Sequence, residues 1–213
     1  MGVLVEEPID LVIWSDFLCP WCYVGTVRLQ DVKEYFGDQV NITWKSFLLK
    51  PETKTPDREK FIQYTQGWKR MADLEPKASF SPWASVNAPP TGSLPAQVAY
   101  KIVASESPEY SEAMHMRLLE AYFSENLDIS DWTVLSRLAC SVGFDESTFL
   151  SLVEARRLEV SETVIGEHNE AIGQGVTSVP TVIIDKVLPV PGAQETETYI
   201  NWIGRLIERK SQT

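Results

Sequence analysis

Cysteine is scarce in this chain, with three in 213 residues, at positions 19, 22 and 140. That excludes the dense disulfide framework that staples small extracellular domains. Histidine is scarcer, with only His115 and His168. No apolar run approaches the ~20 residues needed to span a bilayer. Basic charge is also in deficit: 19 Lys and Arg face 30 Asp and Glu, for a formal net charge of -11. A surface of that sign repels phosphate backbones, so nucleic acid is a poor partner. The first ten residues hold no basic segment and carry Glu6, Glu7 and Asp10, so no secretory signal is read and the cytoplasm is the expected location. Gly173 and Gly175 lack a third glycine at nucleotide-binding spacing and precede a strand, so Gly173 is expected to end a helix.

What is present describes an ordinary globular chain, 44% hydrophobic and 23% charged. Ile9 to Trp14 is a short, partly β-branched apolar run and predicts a buried strand. Residues 15–18 form a turn. Pro20 suits the first turn of a helix, and apolar spacing carries that helix from Trp21 to Phe36, before Gly37-Asp38. Val40 to Leu49 predicts a second strand. Residues 50–65 pass from loop into helix, and 79–95, with five prolines or glycines, is a loop. Helical segments follow at 96–105, 109–124, 131–141, 145–155 and 158–172, with Asp131, Asp145 and Ser161 at or near their starts. Val179 to Asp185 is strand-like, Lys186 to Val190 its hairpin partner, and Glu195 to Lys210 a closing helix. Strand–helix–strand at one end and hairpin–helix at the other point to an α/β domain with a helical insertion.

The chemistry concentrates at Cys19-Pro20-Trp21-Cys22. A thiolate is the form that attacks disulfides. Cys19 falls at a helix start, where unpaired backbone N–H groups favour negative charge. Cys22 follows one turn later on the same side and can reach back to it. The spacing suits one exposed sulfur and one more buried. Half a zinc site and a static disulfide are the alternatives. Structural zinc needs four ligands, and Cys140, His115 and His168 offer no matching spacing. Cys140 lies in an apolar helical pattern and is expected to be a small buried hydrophobe. The two histidines have polar neighbours and are expected to be solvated or capping. Trp14 is expected in the core. Trp21 and Phe17 are candidates for an apolar rim or equally for packing, and Asp16 for a carboxylate that accepts or relays a proton or for a turn or cap residue.

With Asp16-Phe17-Leu18-Cys19-Pro20-Trp21-Cys22-Tyr23 after the first strand and Gly175-Val176-Thr177-Ser178-Val179-Pro180-Thr181 before a late one, the chain resembles the DsbA-like superfamily over nearly its whole length. Within it the likeness is to the FrnE-like oxidoreductases. Ala121-Tyr122-Phe123, Asp128-Ile129, residues 135–139 and Gly192-Ala193-Gln194 resemble its helical insertion and closing segment. The resemblance implies a thioredoxin-like fold interrupted by an all-helical domain. The corresponding division is a first thioredoxin part at 1–64, the insertion at 65–165 and the second part at 166–213. It also implies a cis bond before Pro180, a loop beside the active cysteine, and pairing of the Val179 backbone with an extended substrate.

The resulting expectation is a thiol–disulfide oxidoreductase acting on protein or small-molecule thiols. Cys19 and Cys22 are its catalytic pair, and Pro20, Trp21, Val179 and Pro180 contact substrate. No metal or nucleotide cofactor is expected, glutathione is a conceivable substrate, and neither nucleic acid nor membrane is a partner. The periplasmic oxidant that typifies the superfamily has His where this chain has Trp21. Trp cannot carry positive charge, so a weaker oxidant is expected. Two alternatives stand beside this one. The glutathione-dependent 2-hydroxychromene-2-carboxylate isomerases of the same superfamily use Ser where this chain has Cys19. A redox-independent chaperone would use the helical cap alone.

Overall fold

The computed structural model describes residues 7–210. Strand β1 (Ile9–Ser15) leads into α1 (Pro20–Phe36) and β2 (Val40–Ser46). Then come α2 (Arg58–Thr65), α3 (Trp68–Leu74), α4 (Leu94–Glu106), α5 (Ser111–Phe123), α6 (Trp132–Ser141) and α7 (Glu146–Gly173). The chain closes with β3 (Thr181–Ile184), β4 (Leu188–Pro191) and α8 (Thr196–Lys210).

The four strands form one sheet in the order β2-β1-β3-β4. β1 runs parallel to β2, as a strand–helix–strand crossover requires, and antiparallel to β3, which forms the expected hairpin with β4. Ile9, Leu11 and Ile13 alternate into a core with Val182, Ile184 and Ile203. A larger core, built on Trp68, Trp83, Leu118, Phe123 and Phe149, fills the helical layer between β2 and β3. Phe17, Tyr23 and Val24 of the α1 region belong to that second core, so the helix that begins at the cysteines touches both layers.

Several expectations change here. The second strand stops at Ser46, not Leu49, because the next amides turn to side chains: Leu48 N–H donates to His168 Nδ1 at 3.1 Å and Leu49 N–H to Asp16 Oδ2 at 2.6 Å. The two segments read at 145–155 and 158–172 are a single 28-residue helix, α7. Its buried residues, Phe149, Val153, Val160, Val164 and Ala171, recur at intervals of four and seven along one face of a single helix. Ser161 is therefore mid-helix, and its hydroxyl donates back to the Arg157 carbonyl. Asp131 and Asp145 do cap: their carboxylates accept from Thr133 N–H and Thr148 N–H. Gly173 is the last residue of α7, and Gly175 takes a positive φ just beyond it.

Cys140 is exposed rather than buried. The buried stripe of α6 runs through Leu135, Leu138 and Ala139, and one further residue rotates the side chain out of the core. His115 is 2% exposed rather than solvated, stacked on Trp44 with ring centroids 3.9 Å apart. His168 is half-buried, an acceptor for backbone. Phe17 is buried against Tyr100 and His115, so it packs and forms no rim. Trp14 is in the core as expected. Among the described residues no helix is long and apolar enough to cross a membrane.

Candidate active site

The first strand carries the chain to Ser15, and Asp16 makes the turn that starts α1. Its Oδ1 accepts from Leu18 N–H at 2.7 Å, and its carbonyl accepts from Cys19 N–H at 3.0 Å. Cys19 is the N-cap of α1, in extended conformation, and Pro20 occupies the first helical turn, where the missing N–H costs nothing. The Cys19 carbonyl accepts from Cys22 N–H at 3.0 Å and closes the first turn. Cys22 therefore sits one turn beyond Cys19, and Trp21 between them is 44% exposed, at the surface.

The two cysteines are free and close together, not bonded. Cys22 is 1% exposed and Cys19 only 5%, so the contrast expected between a covered and an open sulfur is small. Trp14, Phe47, Ala171, Val176 and Val179 pack around the pair. Burial pushes the Cys22 thiol well up, and a hydrogen bond with Cys19 and the charge there push it further. Asp16 N–H donates to Cys22 Sγ at 3.5 Å.

The Val179-Pro180 loop arrives beside the pair from 160 residues away. The peptide bond is cis, as expected, and Cys19 Sγ donates to the Val179 carbonyl at 3.4 Å. All six sequence-predicted residues thus gather at one place: Cys19, Pro20, Trp21 and Cys22 at the start of α1, Val179 and Pro180 in the loop before β3.

Other residues join them that the sequence did not single out. Gly25, on the second turn of α1, faces Pro180, and a Cβ there would lie 3.1 Å from the Pro180 ring. Its signal was a glycine inside a helical pattern, which costs stability unless something packs there. Lys50 and Ser93 stand near Asp16, whose carboxyl is raised by burial against the opposing pull of Ser93, the Leu18 and Leu49 amides and Lys50. Burial lowers Lys50 in turn. Tyr64 of α2 is half exposed; its phenol is raised by partial burial and by the charge of Cys19 nearby. Lys50, Ser93 and Tyr64 left no local signal, because their positions depend on how the helical layer returns to the sheet. Among the described residues no group of three or more His, Cys, Asp or Glu is placed to hold a metal ion.

A four-stranded sheet with a helix opening on two neighbouring cysteines, facing a cis-proline loop, defines a thioredoxin-like protein. Residues 10–203 match the family model of the DSBA-like thioredoxin domain, and the chain belongs to that family. In sequence it is similar to the Bacillus subtilis (strain 168) protein YwbO, with 26% identity over 199 residues, 90% of this chain and 94% of that one. In structure it is similar to a Nitrosomonas europaea protein provisionally described as a protein disulfide isomerase (TM-score 0.82, 14% identity, covering 95% of this chain and 99% of that one). It is also similar to the cytosolic disulfide reductase DsbM from Pseudomonas aeruginosa, solved with GSH (TM-score 0.73, 17% identity, 94% and 98%). A 2-hydroxychromene-2-carboxylate isomerase shares the fold at TM-score 0.69 and 17% identity, over 95% of this chain and 98% of that one.

Proposed function

We propose that the protein is a thiol–disulfide oxidoreductase whose working group is the Cys19–Cys22 pair. The observation that carries this is the meeting of three elements: Cys19 at the N-cap of α1, Cys22 one turn on, and the Val179 carbonyl 3.4 Å from Cys19 Sγ. Cys19 is the attacking sulfur, because it caps α1 beside the Val179 loop while burial makes the Cys22 thiol hold its proton. It attacks a substrate disulfide, forming a mixed disulfide and releasing one substrate thiolate. Cys22 then attacks Cys19 Sγ, closing the Cys19–Cys22 disulfide and releasing the second substrate sulfur. The reverse sequence delivers a disulfide to a dithiol substrate, and the compartment's redox poise sets the direction.

Cys22 must lose its proton to attack, and its buried thiol holds that proton tightly. Asp16, whose own carboxyl is raised by burial and whose N–H already meets Cys22 Sγ, is the proposed acceptor. Val179 and Pro180 align an extended substrate segment, and exposed Trp21 gives it an apolar contact. The pair carries two electrons itself, so no metal or nucleotide is invoked, and glutathione is a proposed small-molecule substrate. The cytoplasm is the proposed location. The proposed division is a first thioredoxin-like part at 1–64, a helical insertion at 65–165 and a second part at 166–213, with α7 running across the second boundary. Glutathione-dependent isomerisation would not need a second cysteine, and two adjacent thiols favour redox exchange over it. Nothing in the site singles out a redox-independent chaperone.

The test is to trap the intermediate. Cys22→Ser should accumulate mixed disulfides with a disulfide substrate, releasing one equivalent of substrate thiol and resolved by mass spectrometry, and Cys19→Ser should accumulate none. Dithiol-dependent turnover by both variants would overturn the assignment. Glutathione bound without electron transfer, and retained in Cys19→Ser, would favour the isomerase alternative.

A further inference from the structure

A cleft of about 750 Å³ lies apart from the cysteines, between α1, β2, α4 and α5. That is within the roughly 300–1,000 Å³ of small-ligand sites. One wall is the outer edge of β2, from Asn41 to Trp44. Phe47 N–H bonds to the Ser15 carbonyl, so odd-numbered residues of this strand turn their backbone groups toward β1 and even-numbered ones turn them outward. The outward groups are closed at both ends by side chains. Lys33 donates to the Val40 carbonyl at 2.8 Å. Lys101 donates to the Trp44 carbonyl at 3.2 Å, and Ser46 N–H donates to Glu167 at 2.7 Å. Between these closures Ile42 N–H, Ile42 C=O and Trp44 N–H face the cleft with no partner among the described residues. Proteins commonly blunt an open edge with lysine; here the lysines stop on either side and leave a gap.

Another lining residue also lacks a partner. Thr26 gives its hydroxyl proton to the Cys22 carbonyl at 2.8 Å, so at 3.3 Å its oxygen accepts from His115 Nε2–H. The neutral ring then keeps Nδ1 as a buried acceptor with no donor among the described residues.

We infer that this gap in the β2 edge is a second binding site, which takes a short extended peptide as an added strand. Unpaired N–H and C=O groups at strand spacing match a peptide backbone better than they match any other ligand class. The open stretch, at ~3.3 Å per residue, accepts about three residues. An acidic segment is disfavoured. Asp10 and Glu112 line the cleft, Lys101 is paired with Glu167 at 2.7 Å while Lys33 is held on two backbone carbonyls, and the molecule carries -11. The segment is therefore neutral or basic. The site shares no residue with the proposed redox pair, and the two assignments stand or fall separately.

The experiment uses a Cys19→Ser/Cys22→Ser double variant, so that thiol exchange contributes nothing, and a Val-Lys-Val tripeptide with acetyl and amide ends. Amide hydrogen exchange is followed by NMR. The peptide should slow exchange at Ile42 and Trp44 by about tenfold or more, and an analogue methylated on its central amide nitrogen should not. Ile42→Pro removes the outward N–H without touching the ladder to β1, and it should abolish the effect while the fold persists by circular dichroism. No slowing, slowing confined to residues beside Val179, or equal protection by the methylated analogue would overturn the proposal. The methylated peptide decides the matter even if Ile42→Pro does not fold.

Discussion

At the scale of single residues, two buried titratable groups carry most of the chemistry that pH can reveal. Asp16 receives two backbone N–H bonds and is still raised, because burial outweighs them. If it accepts the Cys22 proton, Asp16→Asn should slow resolution of a mixed disulfide by at least about tenfold. The corresponding inflection should also vanish from the rate–pH profile, measured in single-turnover release of a chromogenic thiol. An unchanged profile would remove Asp16 from the mechanism. His115 acts on stability. Burial, with Lys101 adding to it, lowers it to about 3. Between that value and the ordinary 6.5, an unfolded chain binds a proton that the folded one refuses. Stability from this group is complete above 6.5 and falls as pH drops, by about 1.4 kcal/mol per pH unit. Asp16 has the opposite sign: its raised acid form binds protons in the folded state, so its contribution is lost as pH rises. Comparison with His115→Phe isolates the histidine, since Asp16 is common to both proteins. Urea denaturation at pH 7 and pH 5 should show the parent losing about 2 kcal/mol more than the variant. Equal losses would mean that the ring is not held neutral.

At the scale of elements, the site depends on how α1 meets the loop before β3. Gly25 lets the helix approach Pro180, and Gly25→Ala would set a methyl group 3.1 Å from the proline ring. Gly166, in α7, has nothing within 4 Å of the same added atom. The two substitutions should therefore differ in sign. Gly166→Ala should raise stability by about 0.5–1 kcal/mol, the ordinary gain in a helix. Gly25→Ala should displace the Val179-Pro180 loop and cut kcat/KM for a disulfide substrate by about tenfold, while alkylation of Cys19 continues. Thermal melts and steady-state kinetics on the pair decide it. Much of this scale was readable in the sequence. β1, α1, the β3–β4 hairpin and α8 announced themselves through apolar period and Pro20. The unbroken course of α7 did not, because its stripe skips a turn between Val153 and Val160 and looks like a gap. The end of β2 was missed because Asp16 and His168, far away in sequence, draw off its last amides.

At the scale of the whole molecule, the cysteine pair was legible because its signal is local, four residues at a helix start. The surroundings were less so. Cys140 and His115 were misplaced because burial is decided by the turn of one helix against another, and an apolar pattern without its partner does not fix that angle. Lys50 lies in the loop after β2, and Ser93 and Tyr64 belong to the helical layer and reach the site only when it folds back on the sheet. Arg28 shows the same closure: buried in α1, it pairs with Glu75 at 2.9 Å and Glu195 at 3.0 Å, tying the helical layer and the C-terminal segment to the helix of the cysteines. The central claim is that Cys19 and Cys22 form one reversible two-electron couple. Equilibration with graded reduced and oxidised glutathione, followed by alkylation and mass spectrometry, measures this directly. Cys19 and Cys22 should lose their alkylation together, along a two-electron curve in which about 30 mV changes the ratio tenfold, with Cys140 titrating independently. A protein in which only one of the pair ever oxidises, or in which Cys19 ends as a stable glutathione adduct beside a free Cys22, would contradict the account.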